Sequence, residues 1–166
     1  YTLSYYNIGN AKKVLGKFDE AIESYNKALA INPDYAEAYS NLGVTLQQCN
    51  KFDEALKAHN KALAIKPDQA EFYNNLGTTL QAIGEFDKAM KAHNKALILK
   101  PDYADAFYNM GIALQKQGKM ENSIEAYQKA LSIKPTYAEA LLRMGNIFQD
   151  QGKFEEAVEA YNKALS

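Results

Sequence analysis

The chain has 166 residues, 19 Lys+Arg against 20 Asp+Glu, and a formal net charge of −1. That balance creates no broad cationic field for nucleic acid or anionic lipid, and no apolar run approaches the roughly 20 residues that span a bilayer. Cys49 is the single cysteine, so no internal disulfide can form; with no secretory signal visible, a cytoplasmic location is expected.

The chain repeats itself from one end to the other. Pro33, Pro67, Pro101 and Pro135 stand 34 residues apart, and Gly9, Gly43, Gly77, Gly111 and Gly145 keep the same step. So do Ala28, Ala62, Ala96, Ala130 and Ala164, each followed by Leu. A fixed period of this length marks one supersecondary unit copied along the chain. The units run 2–35, 36–69, 70–103, 104–137 and 138–166, the last ending five residues short.

Each unit reads in the same order, and the second serves as the example. Tyr39, Leu42 and Leu46 at helical spacing predict a helix over 36–49. A turn follows at Asn50, where other units have Gly16, Gly84, Gly118 and Gly152; these residue types tolerate the left-handed backbone that ends a helix. A second helix is predicted over 52–65, with Phe52, Ala55, Leu56, His59, Ala62 and Leu63 along its inner face. Pro67 stops it. Asp68 with Glu71 then reads as a capping box for the next helix, as do Asp34/Glu37, Asp102/Asp105 and Thr136/Glu139. Small residues, Gly43 against Ala55 and Ala62, mark where two helices approach closely. One such unit cannot bury its apolar face alone, so neighbours must stack.

Gly43, Ala55, His59 at an aromatic-type position, Ala62 and Pro67, with their counterparts in the other units, resemble the tetratricopeptide repeat pattern along the whole chain. The position that is often Trp in that family is Tyr5, Tyr39, Tyr73, Phe107 and Leu141 here. The resemblance implies an all-α fold, a right-handed superhelical solenoid of antiparallel helix pairs. First helices would line the concave surface and second helices the convex one. Such arrays usually bind peptides or other proteins.

Some columns repeat without a packing reason. Asn7, Asn41, Asn75 and Asn109 occupy the sixth position of four units, and Arg143 takes it in the fifth. Asn is a poor mid-helix residue, and in the family's geometry this position points into the concave groove. An amide offers donor and acceptor together, so such a column can pair with an extended backbone irrespective of its side chains. The column is similar to the asparagine ladder in the repeat arm of O-linked N-acetylglucosamine transferases. The same amides can instead bond a neighbouring unit and hold the stack together. Gln47, Gln81, Gln115 and Gln149, with Lys13 in the first unit, form a second column expected on the concave side or in solvent. Between the columns the side chains vary, as Tyr6, Ser40, Asn74, Tyr108 and Leu142, and as Asn10, Val44, Thr78, Ile112 and Asn146. Tyr6 and Tyr108 are amphipathic anchors of the kind favoured at interfaces.

Glu37, Glu71, Asp105 and Glu139 form an acidic edge. One branch of the family clamps the carboxylate of chaperone tails with lysines at such places, and Glu71 and Glu139 would repel that group. An extended peptide with neutral or basic side chains fits better. His59 and His93 replace Tyr25, Tyr127 and Tyr161 of other units and read as packed imidazoles. No Cys or third His completes a metal set. Lys27, Lys61, Lys95, Lys129 and Lys163 read as a solvated convex face. No carboxylate pair, nucleophile or phosphate loop suggests chemistry, and no cofactor is implied.

The chain is therefore read as a non-catalytic protein-interaction module. Its expected partner is a protein or peptide in the concave groove, held by Asn7, Asn41, Asn75, Asn109 and Arg143, with Tyr6, Tyr108, Gln47, Gln81 and Gln115 beside them. Neither nucleic acid nor membrane insertion is expected. Two alternatives stand beside this reading. The array could stack end to end through apolar terminal surfaces at Val158, Tyr161 and Leu165. It could also be the substrate-recruiting arm of a larger glycosyltransferase.

Overall fold

The computed structural model describes residues 1–165; Ser166, the end of the fifth predicted unit, lies outside the described residues. The described chain forms ten helices: α1 Thr2–Val14, α2 Phe18–Ile31, α3 Ala36–Gln48, α4 Phe52–Ile65, α5 Ala70–Ala82, α6 Phe86–Leu99, α7 Ala104–Lys116, α8 Met120–Ile133, α9 Ala138–Asp150 and α10 Phe154–Leu165. They pack as consecutive pairs, α1 on α2 through α9 on α10, and each second helix also packs on the next first helix. This is an all-α solenoid of about five helix pairs. First helices also approach one another, α1 to α3, α3 to α5 and α5 to α7, and no comparable approach joins second helices. The array therefore bends with the first helices on the inside.

Local chemistry explains the punctuation. Asn50 has φ 58°, and Gly16, Gly84, Gly118 and Gly152 take φ of 72°, 81°, 77° and 74° at the turns between paired helices. The second helices end where Asn32, Lys66, Lys100 and Lys134 swing to φ near −130°, the extended state imposed on a residue before proline. Inside each pair, the close crossing needs a missing side chain. A Cβ on Gly43 would stand 2.5 Å from the His59 ring, and one on Gly9 would stand 2.6 Å from Tyr25.

The capping boxes do not form. The residues at the starts of α3, α5, α7 and α9 are Tyr35, Gln69, Tyr103 and Tyr137, and none caps through its side chain. Two of the acids one turn on, Glu37 and Asp105, are engaged elsewhere. Glu37 pairs with Lys66, and Asp105 accepts a 2.8 Å bond from the Tyr137 hydroxyl. Both partners come from the linker that follows the paired second helix, which folds back beside the start of the first. A folded-back cation or phenol outcompetes the local cap.

Candidate functional site

Each first helix presents its fifth and sixth residues to the inside of the bend, so a polar seam runs across consecutive first helices. Along it, every sixth-position residue after Asn7 reaches back to the preceding helix pair. Asn41 Nδ2 donates to Tyr6 Oη at 2.9 Å and to Asn10 Oδ1 at 3.0 Å, while its Oδ1 accepts from Lys13 Nζ at 3.3 Å. Asn75 Nδ2 donates to Ser40 Oγ at 3.1 Å. Asn109 Nδ2 donates to Asn74 Oδ1 at 3.0 Å. Arg143 Nε donates to Tyr108 Oη at 3.1 Å, with the guanidinium 5.9 Å from that ring. Asn7, with no preceding first helix described beside it, is exposed.

The amide column is thus a set of clasps between helix pairs, the second of the two roles open to it. The clasps do not use it equally. Asn41 has both N–H groups and its carbonyl engaged. Asn75 and Asn109 each spend one donor on their clasp, and their Oδ1 atoms have no protein partner among the described residues. Both are half-buried.

The glutamine column is engaged too. Gln47 Oε1 accepts from Thr79 Oγ1 at 2.8 Å, Gln81 Nε2 donates to the Asn109 carbonyl at 2.6 Å, and Gln115 Oε1 accepts from Tyr127 Oη at 3.1 Å. In the fifth pair, Gln149 Oε1 accepts from Tyr161 Oη at 2.9 Å. Lys13 is lowered from the usual lysine range by burial, an effect partly offset by the charge of Glu71.

Beneath the seam lie aromatic and imidazole rings from the second helices. Tyr6 sits 4.9 Å from Tyr35 and 6.1 Å from Tyr25 between ring centroids. Tyr108 repeats this with Tyr137 at 5.0 Å and Tyr127 at 5.8 Å. Burial pushes the phenols of Tyr25 and Tyr127 up to about 12. Tyr137 is raised further, by burial first and then by its bond to Asp105. In the second and third pairs the buried rings are His59 and His93, both 0% exposed. Burial lowers each imidazole to about 4. No group of three or more metal-ligating side chains occurs among the described residues.

The comparisons with known proteins agree with this geometry. A family profile described as TPR repeat matches residues 9–48, and one described as Tetratricopeptide repeat matches 34–101 and 102–166. The chain belongs to the tetratricopeptide repeat family. Arrays of that family are in general non-catalytic protein-interaction modules, and their partners are proteins or peptides. The crystal structure of MamA is 34% identical, with a TM-score of 0.78 over 95% of this chain and 92% of that one. The Pseudomonas aeruginosa pilF structure is 23% identical, with a TM-score of 0.89 over 99% and 75%. YrrB, described as a TPR protein with an unusual peptide-binding site, is 22% identical, with a TM-score of 0.68 over 99% and 85%. No curated protein matches the chain. Among the described residues, no helix is long and apolar enough to cross a membrane.

Within this tetratricopeptide array, the residue that sequence reasoning passed over is Asn74. It stood only in a variable column, yet it is 6% exposed. Its Oδ1 accepts from Asn109 and lies 3.0 Å from His93 Nδ1. An Asn opposite a buried His, one helix pair apart from the next Asn clasp, was the available signal. The convex lysines also do more than face solvent. Lys61 Nζ lies 5.3 Å from the Tyr39 ring centre, and Lys129 Nζ lies 5.8 Å from that of Phe107. They cover the rings that stand in the family's Trp position.

Proposed function

We propose that the concave face holds an extended peptide whose backbone is read chiefly by Asn75 and Asn109. One observation carries this reading: those two amides keep a carbonyl and a donor unspent in the half-buried middle of the seam, whereas Asn41 is fully committed internally. The array's class supports it, as does the peptide-binding site ascribed to YrrB. Tyr6 and Tyr108 flank the seam with rings already held by neighbouring tyrosines. Arg143 adds a cation without an ion pair among the described residues, and Asn7 an exposed amide.

A phage-displayed peptide library supplies the test ligand, and its best binder is titrated calorimetrically. Each backbone hydrogen bond contributes about 0.5–1.5 kcal/mol. The double variant Asn75→Ala, Asn109→Ala should therefore weaken binding by roughly tenfold, and Asn41→Ala should change it far less. Equal losses for Asn41→Ala and the double variant would overturn backbone reading by the central amides.

Exposed apolar side chains on α10 favour a second reading, self-association through that helix. Phe154 is 66% exposed, Val158 57% and Leu165 85%. Light scattering over a concentration range distinguishes it, since a strict monomer at high concentration contradicts self-association.

A further inference from the structure

The convex surface carries a crevice between successive second helices, floored by the intervening first helix. In the second pair it is about 330 Å³ and is walled by Tyr39; in the fourth it is about 230 Å³ and is walled by Phe107. A further space of about 240 Å³ lies on the other side of Tyr39, beside Pro33; in the fifth pair, where Leu141 takes the ring position, one undivided space of about 450 Å³ reaches from Phe148 to Pro135. Leu131, Pro135, Leu141, Met144, Phe148 and Ala160 supply its apolar part, and polar and charged side chains complete the lining. Further helices follow the second and fourth crevices, and both remain open. What sets the fifth pair apart is that Leu141 puts no ring across the slot.

We propose that this crevice captures an aromatic side chain, tryptophan or tyrosine beside a basic residue, from a partner protein. The chain itself supplies the template. At this place in the second and fourth pairs, a ring stands between two second helices with a lysine over it, Tyr39 under Lys61 and Phe107 under Lys129. Lys163 occupies the corresponding position in the fifth pair, where Leu141 stands in place of the ring. It pairs with Glu159 at 2.6 Å. The cavity falls within the range of about 300–1,000 Å³ typical of ligand sites. A ring is the group that recovers most from such a slot, combining large apolar area with a polar handle.

Charge complementarity narrows the occupant. Besides the Lys163–Glu159 pair, the rim holds Glu156, which makes no ion pair among the described residues. A rim with a spare carboxylate favours a ring bearing an N–H or O–H donor, followed by a cationic neighbour. This site lies on the face opposite the peptide seam, so it stands or falls independently of that reading.

The experiment titrates the protein, with methyl-labelled Met and Leu, with the blocked tripeptide Lys-Trp-Lys, and separately with Lys-Ala-Lys. The expected result is a ring-current shift at the Met144 and Leu141 methyls with the tryptophan peptide alone. Leu141→Phe, which restores the ring found in the fourth pair, should weaken the response at Met144 at least tenfold. Tyr39→Leu should create a second responsive site at the Leu42 and Leu46 methyls. The proposal is overturned if Met144 does not respond, if it responds equally to both peptides, or if Leu141→Phe binds as well as the parent. Should Leu141→Phe fail to fold, Tyr39→Leu decides, and silence at Leu42 and Leu46 overturns it.

Discussion

In the first and fourth helix pairs, Tyr6 and Tyr108 each rest on two further tyrosines, Tyr25 with Tyr35 and Tyr127 with Tyr137. In the second and third pairs the corresponding places hold Ser40 and His59, and Asn74 bonded to His93. A phenol is long enough to pass the helix crossing and place its hydroxyl on the seam, as Tyr25 does on Asn10 at 2.8 Å and Tyr127 on Gln115. An imidazole stops short. Both nitrogens of His59 and Nε2 of His93 are buried without a protein partner, which costs stability. The smaller side chains bring a compensating closeness. First helices approach most tightly across Ser40 and Asn74, from α3 to α5 and α5 to α7, and less so across Tyr6 from α1 to α3. Across Tyr108, α7 and α9 make no approach of that kind. The closer approaches of the inner helices thus coincide with the smaller side chains in this variable column.

The strongest way to break this contrast is acid. Burial holds both imidazoles down at about 4 in the folded chain, against an ordinary value of 6.5. Above pH 6.5 both states are neutral and stability is complete. As pH falls from 6.5 toward 4 the unfolded chain takes up protons that the folded chain refuses, so stability is lost, by up to about 3 kcal/mol per histidine. Because stability in a solenoid is largely a nearest-neighbour property, hydrogen exchange at pH 5 should accelerate in α3–α6 before α7–α10. The variant His59→Tyr, His93→Tyr should flatten that dependence, with Gln47 and Gln81 available to the new hydroxyls as Gln115 is to Tyr127. An unchanged acid profile in this variant contradicts the assignment.

A smaller effect sharpens the central side of the comparison. Asn74→Ala removes the shared acceptor of Asn109 and His93, leaving buried polar groups unpartnered at about 1–3 kcal/mol. Urea unfolding at neutral pH measures it. Because the clasp is local, the loss should exceed that of Ser40→Ala, whose hydroxyl serves Asn75 alone at the seam. The smallest effect probes the outer side. Tyr137→Phe deletes the bond to Asp105 and should cost about 1 kcal/mol. A loss as large as that of Asn74→Ala would show that the tyrosine-type pairs depend on polar bonds as much as the histidine-type pairs do.

Much of the fold was legible because it is written locally. Prolines, turn glycines and Asn50 punctuate the helices, and Ala55 and Ala62 repeat where helices cross. The failed capping boxes mark the limit of that legibility. Asp34 with Glu37, and Asp102 with Asp105, have the right spacing for a cap, but spacing does not reveal that Lys66 or Tyr137 folds back to claim the acid of its own helix pair. The candidate site was legible only as a column. Asn41, Asn75 and Asn109 look identical in sequence, and only one of them is fully spent.

The sequence alone determined the period, the helix pairs, the family and the column that lines the seam, since each follows from residue types acting over one or two turns. The tertiary structure decided which amides stay available, how closely the inner helices stand, and where a missing ring opens the convex face. Those depend on contacts between residues some 35 positions apart. An amide pairs equally well with a neighbour or a ligand, and only the distance between helices selects between them.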